Sequence, residues 1–221
     1  YKCNLENIKV GNTYLIQSGK TKPIKLEAKI SDDIGKTCYA KRMDLKRLFG
    51  AELYNLLSWN KPVNFVFGND TFVLDEVQGN LFYNLWKNNG ITENKKYMEN
   101  LVRLDVLCEL LSLHDMYNYY NTYVDSEYNI QVIDFDKAFT PRAYSLIDEN
   151  ITLSRKYIQE IREDEQNLIV KRAVNNSDRV MDLISIMKEM NFASKEARDL
   201  GDFKNMGEYV ETMLLRYSGE I

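Results

Sequence analysis

The sequence predicts an α+β protein with its strands early in the chain and its helices late. Three observations carry this expectation. Apolar and polar residues alternate through 8–30, the period of half-buried strands, and 37–43, 63–68 and 71–77 also read as strands. After Arg142 the sequence reads as helix to its end. The 221 residues, 44% hydrophobic and 28% charged, suffice for one large domain or two small lobes around a real core.

The elements follow in order. "IKVGNTYLIQSGKTKPIKLEAKI" (8–30) holds two β-type runs around the turn "QSGKTKP", which predicts a hairpin. "TCYAKRM" (37–43) is a third strand. "DLKRLFGAELYNLL" (44–57) predicts a helix capped by Asp44, with Leu45, Leu48, Leu53 and Leu56 at helical spacing, while Lys46 and Arg47 show that this helix is also charged. "VNFVFG" (63–68) and "TFVLDEV" (71–77) are strands joined at Asn69-Asp70. "NLFYNLWKN" (80–88) reads as helix, and "YMENLVRLDVLCELLSLH" (97–114) as a strongly amphipathic one. A Tyr/Asn-rich loop over 115–129 contains a short strand at 122–124, and "IQVIDF" (130–135) is the strand that pairs with it. Helices then occupy 144–174, 177–190 (with Ser177 as cap) and 194–217. The Met/Leu/Ile stripes of the last two read as core or as a partner-facing surface.

Composition excludes several classes. Net charge is −4, so no basic footprint for nucleic acid is present overall. Cys3, Cys38 and Cys108 are odd in number and widely spaced, and His114 is the single histidine. That argues against a zinc site and a disulfide framework, and for a reducing, cytoplasmic setting. No apolar run reaches the length of a membrane span. A start at Tyr1 leads us to expect a fragment of a longer protein. "GKT" at 19–21 and at 35–37 lacks the upstream glycine of a phosphate-binding P-loop, because Tyr14 and Ile30 stand there; both are read as turns.

"IQVIDFDKAF" (130–139) is the stretch that calls for chemistry. Asp134 and Asp136 end an apolar strand, where carboxylates are costly unless they hold something. Three further stretches precede it in order: "CYAK" with Lys41, "GAELYNLL" with Glu52, and "FVLDEVQGNLF" with Glu76 and Val77. "LSLHDMYNYYN", with Asp115 and Asn121, then leads into "VIDFD". Together they resemble the protein-kinase superfamily, in the minimal, atypical style of bacterial effector kinases, across roughly residues 8–140.

The resemblance implies a bilobal kinase-like fold. Residues 1–78 would form a β-rich N-lobe of five strands and one helix, and 79–221 a reduced helical C-lobe, together one catalytic domain. It implies ATP with Mg²⁺ (or Mn²⁺). Lys41 would meet the phosphates and Glu52 would orient it. Ser18, Gly19 and Lys20 would form the turn over the phosphates, and Glu76 and Val77 the hinge that meets adenine. Asp115 would be the base, Asn121 and Asp134 metal ligands, and Asp136 a ligand to a second ion. His114 is read as packing beneath the catalytic loop.

The chain also departs from the family pattern. Asp115 precedes Asn121 by six positions where the family has five, although Asn121 stands the family-like thirteen before Asp134; Asn118 is an alternative ligand. The phosphate turn offers one glycine instead of three. No A-P-E follows, and only 87 residues lie beyond Asp134. The first function expected is phosphoryl transfer to a protein hydroxyl, on a host protein if the chain is a secreted effector, with an activating partner or ligand to order it. The alternatives are a small-molecule or lipid kinase on the same fold, and a pseudokinase or nucleotidyl transferase acting as a binding module.

Overall fold

The computed structural model describes residues 14–15, 24–29, 35–42, 44–60, 62–67, 71–75, 79–81, 94–113, 121–135, 138–139, 152–189 and 203–221. The architecture is α+β. Strands β1 (Tyr14–Leu15), β2 (Ile24–Lys29), β3 (Gly35–Arg42), β4 (Phe65–Phe67) and β5 (Thr71–Asp75) form one antiparallel sheet in the order β1-β2-β3-β5-β4. Helix α1 (Leu45–Leu57) is inserted between β3 and β4. A second antiparallel sheet is made of β6 (Asn80–Leu81), β7 (Thr122–Val124) and β8 (Ile130–Val132). Helices α2 (Lys95–Leu110), α3 (Arg155–Asn175), α4 (Ser177–Glu189) and α5 (Met206–Ser218) complete the described residues.

Helix α1 starts where its cap predicts: the Asp44 carboxylate accepts from the Lys46 N–H at 2.9 Å. Its buried side differs from the leucine stripe expected. Phe49, Ala51, Leu53, Tyr54 and Leu57 are buried, Leu48 and Leu56 only partly so, and Leu45 is 46% exposed. Arg47 is buried as well. Past the helix, Asn55 fixes the route into β4, exchanging bonds with the Val63 N–H (2.7 Å) and carbonyl (2.9 Å).

Three expectations are corrected. Asn80 and Leu81 are strand, not helix: they pair with Val124 and Tyr123 of β7, and tertiary pairing overrides a local apolar period. Gly79 permits the approach at φ 138°, since a Cβ there would stand 2.7 Å from the Val124 carbonyl oxygen. Residues 82–88 lie outside the described residues. Ser177 is the first residue of α4 and not its cap; the Asn176 carbonyl takes the Val180 N–H at 3.0 Å. Helices α3 and α5 begin at Arg155 and Met206, later than the periodicity suggests, behind the caps Ser154 and Asn205. Residues 144–151 and 194–202 lie outside the described residues.

Helix α2 is the spine of the core. Leu101, Leu104, Leu107, Cys108 and Leu110 are buried on it. Helix α5 docks through two tyrosines, Tyr209 donating to the Glu109 carbonyl at 2.7 Å and Tyr217 to the Val106 carbonyl at 3.3 Å. Burial, with the nearby Glu109 charge, pushes the Tyr217 hydroxyl well above its ordinary pKa, so this contact stays neutral. Val180, Ile184 and Met187 of α4 and Val210 and Met213 of α5 are buried, the core role expected of their stripes. Among the described residues, no helix is long and apolar enough to cross a membrane.

Candidate functional site

The β7–β8 hairpin sets the site. Thr122 pairs with Val132, Tyr123 with Gln131 and Val124 with Ile130. One step further, the Ile133 N–H donates to the Asn121 carbonyl at 3.0 Å. Asn121 and Asp134, thirteen positions apart in sequence, therefore stand at the same end of the hairpin on its two arms. The opposite end is closed by Asp125. Its carboxylate accepts from the N–H groups of Glu127 (2.8 Å) and Asn129 (3.0 Å) and from the Asn129 amide (3.0 Å). Asn100 of α2 donates to the Tyr128 carbonyl at 2.8 Å, tying that turn to the core.

Beyond β8 the chain is pinned at each described step. Phe135 is fully buried, and its ring meets Tyr54 of α1 edge-on at 5.4 Å. The Ala138 N–H closes a turn onto the Phe135 carbonyl at 3.1 Å, and the Phe139 N–H reaches the Leu111 carbonyl after α2 at 2.9 Å. The Asp134 carboxylate is thus held between two fixed neighbours, and its side chain is only 13% exposed. Arg47 Nε lies 3.9 Å from Asp134 Oδ1, with 7% of the arginine side chain exposed. The same guanidinium stands 6.0 Å over the Phe72 ring, which stacks on Phe65 at 4.9 Å.

Arg47, Gly50 and Tyr54 follow an i, i+3, i+7 spacing, so one face of α1 meets the segment after β8. Tyr54 fastens the contact. Its hydroxyl donates to the Ile130 carbonyl at 3.4 Å, and Asn60 donates both to that hydroxyl (3.2 Å) and to the same carbonyl (2.6 Å). Burial pushes the Tyr54 pKa up to about 12, so the knot does not titrate at physiological pH.

Gly50 explains itself in this setting. A Cβ there would lie 2.8 Å from the Ala138 Cβ and 3.4 Å from the Phe135 Cβ. Gly50→Ala is expected to destabilise the protein. The overpacking cost of about 1–3 kcal/mol exceeds the ~1 kcal/mol by which alanine favours a helix over glycine. Urea denaturation measures it, and a gain in stability would show that the helix backs away freely.

The remaining predicted residues divide. Glu52 lies two positions from Gly50, about 160° around the helix, and it accepts from Arg179 of α4 at 3.0 Å. The α1 face that meets Asp134 thus carries Arg47, not Glu52. Lys41 is in β3, its backbone directly opposite Phe72 of β5; its side chain lies outside what the structure describes. Ser18, Gly19, Lys20, Glu76, Val77, His114, Asp115, Asn118 and Asp136 also lie outside the described residues. Among the described residues, no three His, Cys, Asp or Glu side chains gather as a metal cage.

Arg47 is the residue that sequence reasoning passed over, because a charge beside Lys46 reads as a solvated helix face. Its signal was positional: an arginine three and seven residues before Gly50 and Tyr54 shares the buried side of the helix. No model of a known protein family matches the chain, and no curated protein matches it.

Proposed function

We propose that the chain is an ATP–magnesium-dependent phosphotransferase moving the γ-phosphoryl group to a protein hydroxyl. The observation that carries this reading is the meeting of Asn121 and Asp134 at one end of the β7–β8 hairpin. Support also comes from the five-stranded antiparallel sheet with α1 between its third and fourth strands, because β3 bears Lys41.

The donor chemistry fits magnesium, which takes hard oxygen ligands: a carboxylate from Asp134, the amide oxygen of Asn121, and Asp136 for a second ion. A bound ion would neutralise phosphate charge and orient the phosphate oxygens. Lys41 would bind the phosphates, the turn of Ser18, Gly19 and Lys20 would cover them, and Glu76 and Val77 would receive the adenine. Asp115 would take the proton of the acceptor hydroxyl. Catalysis of this type is chiefly positioning and charge stabilisation.

One observation favours a second reading. Glu52, expected to orient Lys41, is engaged by Arg179. A pseudokinase or nucleotidyl transferase with a rearranged pocket would carry such a pair.

Isothermal titration with ATP, with and without magnesium, separates the readings. Wild-type binding is expected to require magnesium. Asp134→Ala is expected to weaken it on the order of a hundredfold, since even outer-shell changes at metal sites cost 10–100-fold. Radiolabelled phosphate transfer to protein, as against lipid or small-molecule acceptors, then identifies the substrate class. Absence of ATP binding under every condition would overturn the phosphotransferase reading.

A further inference from the structure

Arg47 and Asp134 form an ion pair between α1 and the segment just after β8, and both side chains are nearly buried. Asp134 does not depend on this pair for its place. Its neighbour Ile133 is bonded to the Asn121 carbonyl, and its other neighbour, Phe135, is fully buried. At 3.9 Å, beyond ordinary hydrogen-bond length, this contact acts through charge more than through direction. The arginine sets a positive charge beside the carboxylate that a divalent cation would seek. A bare cation therefore meets that carboxylate with a like charge behind it. A cation arriving with a polyphosphate brings the negative charge that the arginine and the ion both need.

We propose that Arg47 makes metal loading at Asp134 conditional on nucleotide: the site takes a divalent cation and a nucleoside triphosphate jointly and takes the cation alone poorly. This inference rests on the phosphotransferase reading and names how the same site is regulated. Arg47 is here a positioning charge. It acts on the ion through Asp134 and need not touch the nucleotide.

The test is binding of Mn²⁺ to the full 221-residue chain, followed by electron paramagnetic resonance, with and without a non-hydrolysable ATP analogue. Wild type is expected to bind Mn²⁺ weakly alone and much more tightly with the analogue. Changes to groups just outside a metal's ligands move its affinity by about 10–100-fold. On that scale Arg47→Gln is expected to tighten Mn²⁺ alone by about tenfold and to shrink the effect of nucleotide. Arg47→Lys, which keeps the charge, is expected to restore wild-type behaviour, and circular dichroism checks that both variants fold. Unchanged or weaker Mn²⁺ binding in a folded Arg47→Gln overturns the proposal.

Wild type alone can also overturn the proposal, should the neutral variant fail to fold. Equal Mn²⁺ affinity with and without the analogue overturns the proposal. If wild type binds neither Mn²⁺ nor nucleotide, the phosphotransferase reading falls and takes this inference with it. If the metal–nucleotide pair binds Asp134-dependently but Arg47→Gln changes nothing, only this inference falls.

Discussion

Phe135→Ala is expected to destabilise the protein by about 3–5 kcal/mol, the range for truncating a fully buried phenylalanine. The ring has no access to solvent, lies edge-on to Tyr54 and borders Gly50 of α1. Its removal leaves a cavity between α1 and the segment that follows β8. Collapse into that cavity is restricted, because Tyr54 is tied to Ile130 and the 135–138 turn is closed by its own hydrogen bond. Phe135→Leu keeps most of the volume and should lose less. Urea denaturation of both variants is the measurement. A loss under about 1 kcal/mol in the alanine variant would show that the site collapses easily and that Phe135 is not what pins Asp134. On the proposed function, the same variant should lose nucleotide affinity even where it remains folded, because the residue beside Asp134 loses its anchor.

Glu165→Ala is expected to cost about 3 kcal/mol, the lower end of the range for breaking a buried ion pair by removing one partner. Glu165 is fully buried on α3, and each oxygen is used: one accepts from Arg103 of α2 at 2.8 Å, the other from Arg172 at 2.6 Å. Removing the carboxylate leaves two guanidinium groups facing each other without their shared anion. Both arginines reach water over part of their surface, and rehydration holds the loss to the lower end. Thermal or urea unfolding checks the figure. Replacing Glu165, Arg103 and Arg172 together by apolar residues should recover much of it, since the penalty comes from charges left unmatched. If the single variant were as stable as wild type, the network would contribute nothing to the fold.

The sequence made the strands of the first sheet and the long helices legible, because binary period and capping residues act locally. Asp44 and the β7–β8 pairing are examples. The orientation of α1 was not legible. Its leucines suggested one stripe, but the buried side is chosen by what faces it, and Phe135, Ala138 and Phe72 favour the side with Gly50, Tyr54 and an arginine. Asn80 and Leu81 failed for the same reason: two residues become strand only because β7 lies beside them. Within the candidate site, the strands at 122–124 and 130–135 were legible, and their pairing brings Asn121 and Asp134, thirteen positions apart, to one end of the hairpin. The ion pairs of Arg47 with Asp134 and of Arg179 with Glu52 join residues far apart in the chain, and no local period encodes them.

Helix α1 is fastened near both ends. Toward its start Arg47 faces Asp134, and at its finish the Leu57 carbonyl accepts from Arg172 at 2.9 Å, on the same side chain that serves Glu165. Mechanically it is a beam with two supports, one at the candidate site and one on α3. A beam so held, in a close-packed interior, resists pivoting. One support of the helix that packs on Phe135 is thus supplied by a helix that comes later in the chain.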